Sequence, residues 1–167
     1  MEKTSGDRRI RQKISEAHKL FILWGEALRK NPHIGSLLKI LAEKIAASAK
    51  AMDDFGVSEA CRHCHEKDGS TCCGAGIEER FTSWLLLINL LYGNTLPTKR
   101  FWEKGCFFLS ENGCSLKVRL ILCVNYLCLK IQKLRSVKEL ARLQKITGEE
   151  MEASFILEEA VKKFIKE

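Results

Sequence analysis

The sequence predicts a mainly α protein: a helical scaffold with a small β-hairpin and a cysteine-rich metal-binding centre. Three observations predict it. Apolar residues recur at three-and-four spacing through the first third and again after residue 77. An Asn-Gly pair separates two short apolar runs. All eight cysteines fall between residues 61 and 128 of a 167-residue chain.

Ile10, Ile14, Ala17, Phe21, Trp24 and Leu28 form one stripe of a first helix. Asn31-Pro32 ends it, because proline disfavours helical geometry in the residue before it, and Asn31 can cap a second helix with Pro32 at its first position. That helix carries Ile34, Leu38, Leu41, Ile45, Met52 and Phe55 and stops near Gly56, giving an antiparallel helical hairpin. Residues 57–76 lose the periodicity and read as a loop, which at that length needs something to hold it. Ile77, Phe81, Trp84, Ile88 and Leu91 restore the helical period up to Gly93, and Gly93 to Pro97 form a connection. Asn112-Gly113 marks a tight hairpin turn that brings Cys106 and Cys114 near each other. A helix after Cys123 carries Tyr126, Leu127, Ile131 and Leu134, and two capping boxes, Ser136 with Glu139 and Thr147 with Glu150, mark two further helical starts. One domain, 1–167, is expected, with a hairpin at 1–57, a cysteine-cluster core at 58–130 and helices at 131–167.

Composition bounds the chemistry. Hydrophobic residues at 46% and charged residues at 29% are ordinary for a globular protein. The apolar run WLLLINLLY, 84 to 92, falls well short of the roughly twenty residues of a membrane helix. No secretory h-region is visible near the amino terminus, so a cytoplasmic protein is expected, in a compartment where lasting disulfides are uncommon. The net charge of +7 counts the cysteines as neutral; with eight thiolates and two divalent ions it becomes about +3. Lysine and arginine near thiolates would also lower their pKa.

Cys61, Cys64, Cys72 and Cys73 form one group in sequence, and Cys106, Cys114, Cys123 and Cys128 a second. Cys61-x-x-Cys64-His65 matches a haem attachment pattern, but that chemistry belongs with export and leaves six cysteines unexplained. A Cys-x2-Cys pair turns both sulfurs toward one ion, as in tetrahedral zinc and iron–sulfur sites. With eight cysteines available, His63 is a less economical ligand, and His65 reads as a loop residue or an outer partner. His18 and His33 read as surface or helix-end residues. Neighbouring side chains diverge, so Cys72 and Cys73 favour two adjacent four-thiolate sites over one, with a single cluster and spare buried cysteines as the alternative. Cys123 and Cys128 fit a plain core role best. On one continuous helix they would project about 140° apart, so they converge only if Cys123 precedes the helix. A structural zinc site contributes on the order of 10 kcal/mol to folding, enough to order a long loop.

Cys61-x-x-Cys64, Cys72-Cys73, Cys106-Phe-Phe-Leu, Gly113-Cys114-Ser-Leu, Arg119, Cys123 and Tyr126-x-Cys128 together resemble the eight-cysteine zinc- or iron-chelating domain family, the YkgJ-type cysteine-cluster proteins. The resemblance spans about 61–128. This chain has Leu120 after Arg119 where the family has proline, and a longer gap before the double cysteine. The resemblance implies chelation of zinc or iron and assigns no reaction; related modules fused to flagellin lysine methylases add an iron–sulfur option.

Three functions follow as expectations. The first is a metal-binding protein holding zinc, iron or an iron–sulfur cluster in a structural or redox role, with a helical surface open to a protein partner. The second is an iron–sulfur accessory module of an enzyme such as a protein methylase, although no catalytic acid–base pair, phosphate loop or triad is visible and Glu66, Asp68, Glu78 and Glu79 read as solvated or helix-end charges. The third is a nucleic-acid-binding module, because residues 117–145 hold eight Lys and Arg against Glu139 alone.

Overall fold

Helix α1 (Ser5–Lys30) and helix α2 (Pro32–Asp54) meet at one residue in the computed structural model, which describes residues 5–68 and 72–166. Asn31 is extended, and its side chain accepts a hydrogen bond from the Ile34 amide at 3.0 Å while Pro32 starts the helix. The α1 stripe turns inward: Ile10, Ile14, Ala17 and Leu28 are buried, with Phe21 and Trp24 packed against them. Helix α1 packs mainly against α4 (Ser83–Leu91), and α2 mainly against α7 (Val137–Lys166). Helix α4 is buried on every side, which explains why its sequence is apolar without a period. Among the described residues no helix is long and apolar enough to cross a membrane.

Where a loop is expected, Val57–Asp68 form helix α3. Gly56, at φ 67°, ends α2 and offers its carbonyl to Ala60 in the first turn of α3. The apolar spacing was hidden because two of its members are Ala60 and Cys64, which follow the buried Val57 at three and seven residues. The helix expected from Ile77 is also divided, into a 3-10 turn at Ile77–Arg80 and α4, whose amino end is capped by the Thr82 side chain accepting from Leu85 N at 3.1 Å.

Two short strands, β1 (Leu109–Ser110) and β2 (Gly113–Cys114), form the expected antiparallel hairpin, with Leu109 opposite Cys114 and Gly113 at φ 98°. Beyond it, α5 (Ile121–Asn125) and α6 (Leu129–Leu134) replace the single helix expected after Cys123. Tyr126 and Leu134 are exposed, whereas Leu127 and Ile131 are buried. The Ser136 box forms as expected: Ser136 N and Oγ donate to Glu139 at 2.8 and 2.7 Å at the start of α7. The Thr147 box does not. Thr147 lies buried inside α7, its hydroxyl near the Leu143 carbonyl and the Asn125 side chain at 3.1 and 3.0 Å.

The interior divides into two apolar clusters. The larger joins α1, α2, α4 and α7 to Phe107, Phe108, Leu116 and Val118. The smaller gathers Ala51, Met52, Val57, Val124, Leu127, Ile131 and Leu143.

Candidate metal centre

Three cysteines border these clusters: Cys106 and Cys73 on the larger, Cys128 on the smaller. Cys61 and Cys64 stand three apart on α3, so helical spacing, rather than a bent loop, puts them on one face. Cys72 and Cys73 follow on a turn fastened to the segment before the hairpin. Cys106 N donates to the Cys73 carbonyl at 2.7 Å, Ala75 N to the Lys104 carbonyl at 3.0 Å, and Gly74 bridges Gly105. A turn closed by Leu109 N and the Cys106 carbonyl at 3.0 Å leads from Cys106 into β1. Cys114 ends β2, Cys123 lies within α5, and Cys128 is the amino cap of α6.

Buried polar side chains hold these segments. Asn89, fully buried on α4, donates to the Leu85 and Val118 carbonyls at 3.0 and 2.9 Å and accepts from Val118 N at 3.0 Å. It thereby fixes the chain between Cys114 and Cys123. Arg100 donates to Asp7 on α1, to Glu78 and to the Gly105 carbonyl beside Cys106, and Glu78 accepts in turn from Gly76 N at 2.9 Å. Glu78 is 1% exposed, so of its two expected readings the solvated one fails, while the helix-end one holds: it lies in the first turn of the 3-10 helix. Glu79 is partly exposed and pairs with Arg9 at 2.8 Å. Nothing in the local sequence marks Glu78 or Arg100: their partners are 22 and 93 residues apart in the chain. The side chains of His65, Glu66 and Asp68 lie outside the described residues, while His18, His33 and His63 are exposed.

All eight cysteines are free thiols, and only Cys106 is buried as a whole residue. At Cys61, Cys72, Cys73, Cys106, Cys114 and Cys123 ionisation is opposed first by desolvation, and at all of these but Cys114 by neighbouring thiols as well. Cys61 is pushed up to about 11 by desolvation and by Cys73, Cys128, Cys72 and Cys64. Desolvation, then Cys128 and Cys64, raise Cys72. Cys73 is raised by burial, Cys114 and Cys72. Cys106 reaches about 12 through burial, with Glu78, Cys114 and Cys123 adding to it. Cys123 reaches about 11 through burial, Cys73 and Cys114. Arg119 opposes the rise at Cys73, Cys114 and Cys123. These six thiols are therefore raised, against the expectation that the basic balance lowers them: desolvation, with the neighbouring thiols at five of them, outweighs one guanidinium.

Such thiols are poor nucleophiles at neutral pH, and they suit a cation that can replace their protons. The donor set, eight soft sulfurs, fits zinc or iron by its chemistry. Among the described residues no three His, Cys, Asp or Glu side chains are drawn together as a cation site. No family model, curated protein or solved structure matches the chain, so the residues themselves carry the functional argument.

Proposed function

We propose that the chain is a cysteine-ligated metal-binding protein whose thiols hold zinc or an iron–sulfur centre in a structural or redox role. One observation carries the reading. Eight cysteines from α3, the Cys72-Cys73 turn, the hairpin and α5–α6 fall within 61–128, the main chains of Cys73 and Cys106 are hydrogen-bonded at 2.7 Å, and no cysteine is in a disulfide. A cation is the simplest compensation for thiolates packed this way. Closed four-thiolate zinc would leave no open position and would be structural, whereas iron–sulfur would permit electron transfer. Anaerobic purification followed by elemental analysis and a visible spectrum tests it. Zinc in a colourless protein, or iron with sulfide in a brown one, supports the reading. Material that is empty and takes up neither metal rejects it.

A second reading, a metal-stabilised nucleic-acid-binding module, draws on the exposure of Lys130, Lys133, Lys138, Arg142 and Lys145 along α6 and the start of α7. Binding to random-sequence RNA or DNA that falls steeply with salt would support it, and no binding at low salt would remove it.

A further inference from the structure

We propose that two copies of the chain pair through the outer face of α1, antiparallel about a two-fold axis between Ile22 and Leu23, with Lys19 of each copy against Glu26 of the other. The pairing is independent of the metal centre, because α1 carries none of the cysteines.

A helix that buries one stripe is expected to show polar side chains on the opposite face. The outer face of α1 instead presents two adjacent aliphatic residues, Ile22 at 81% and Leu23 at 72% exposure. They straddle the line on which Lys19 and Glu26 fall, because positions seven apart differ by only about 20° around an α-helix, whereas Ile22 and Leu23 lie about 50° to either side of that line. Lys19 and Glu26 are exposed as well. An open hollow of about 420 Å³ borders the stripe, lined by Phe21, Ile22, Glu26, Arg29 and Lys30. One wall of it is the Phe21 ring, which lies so close over Gly25 that a Cβ there would meet Phe21 Cδ2 at 2.9 Å, and the Arg29 guanidinium stands over the same ring at 5.0 Å.

Charge selects the occupant of this face. A two-fold axis between Ile22 and Leu23 sets each of them against the other's counterpart in the second copy, and by the same symmetry it sets Lys19 against Glu26. The two ion pairs then lie about 5 Å along the helix from the axis, one on each side. A parallel pairing would oppose Lys19 to Lys19 and Glu26 to Glu26, so the charges fix the direction as well as the register. The hollow bordering Ile22 takes Leu23 of the second copy. Within its own chain Glu26 reaches Lys30 at 2.6 Å, but those side chains are 81% and 75% exposed, so that pair holds the carboxylate only weakly. One helix against one helix covers less than the roughly 800 Å² per partner of a standard interface, so the two copies exchange with concentration rather than form a permanent dimer.

Sedimentation equilibrium of the full chain tests this over a concentration series from micromolar to millimolar, in reductant so that no disulfide links the copies. The unmutated chain should pass from monomer to dimer across the series. Lys19→Glu opposes two carboxylates at both ends of the contact and should raise the dissociation constant about tenfold. Lys19→Glu/Glu26→Lys exchanges the charges, rebuilds both pairs and should return the constant to near its unmutated value. Leu23→Glu should stay monomeric throughout. The three positions are exposed, so the variants should keep the fold, which far-ultraviolet circular dichroism checks. An unmutated chain that stays monomeric to the millimolar end overturns the pairing. So does a dimer indifferent to Lys19→Glu, or one that the charge exchange fails to restore, because either places the contact on another face.

Discussion

Removing Arg100 should destabilise the protein severely, because the guanidinium is the main counter-charge of a carboxylate that has almost no access to water. Arg100 is 10% exposed and Glu78 1%; Asp7, at 16%, is also nearly enclosed. Among the described residues, Arg100→Ala leaves Glu78 with one backbone amide as its partner and Asp7 without an ion pair, and it releases the Gly105 carbonyl next to Cys106. Breaking a buried ion pair from one side costs about 3–5 kcal/mol, a large part of the ~5–15 kcal/mol that holds a domain together. For a chain of this size that corresponds to a fall of roughly 6–20 °C in Tm. Urea unfolding followed by circular dichroism measures it, with an unchanged m-value showing that folded and unfolded states keep their compactness. The paired variant Glu78→Leu/Arg100→Met removes both charges at similar volume and should recover most of the loss. A loss below about 1 kcal/mol for Arg100→Ala, or a paired variant no better than the single one, would refute the view that a desolvated charge sets the cost.

Asn89→Leu should cost about 2–4 kcal/mol in the same assay, because Val118 N and O would both be stranded in the apolar interior; a near-neutral result would show that the 115–120 segment is held by packing alone. Glu150 is 3% exposed, its Oε2 has no partner, and burial raises its pKa against the pull of Ser48 and Arg119. Its contribution to stability is therefore full below the ordinary carboxylate range and is lost as pH rises through the raised folded value. Glu150→Gln should accordingly have the higher Tm at neutral pH and lose part of the pH slope, and parallel Tm curves for the two proteins would contradict this. Arg119→Gln should push Cys73, Cys114 and Cys123 further up, because the guanidinium opposes their rise. The pH profile of thiol alkylation in the metal-free chain should then move to higher pH, and an unchanged profile would contradict this.

Much of the fold is legible because single elements announce themselves. The α1 stripe, the Asn31-Pro32 junction, the Asn-Gly hairpin and the Ser136 box are all encoded within a few residues, and all form. Thr147 shows the limit of such signals. Its spacing to Glu150 copies a capping box, but the hydroxyl bonds back within α7 and to Asn125, because α2 and α5 cover that turn of helix. Helix α3 was hidden for a different reason: cysteine acts there as a small apolar residue, whereas its density suggests a loop. The cysteine residues themselves were legible as a set. Their neighbours in space were not, because the Gly74–Gly105 bridge that lays the Cys72-Cys73 turn beside Cys106 is a tertiary fact.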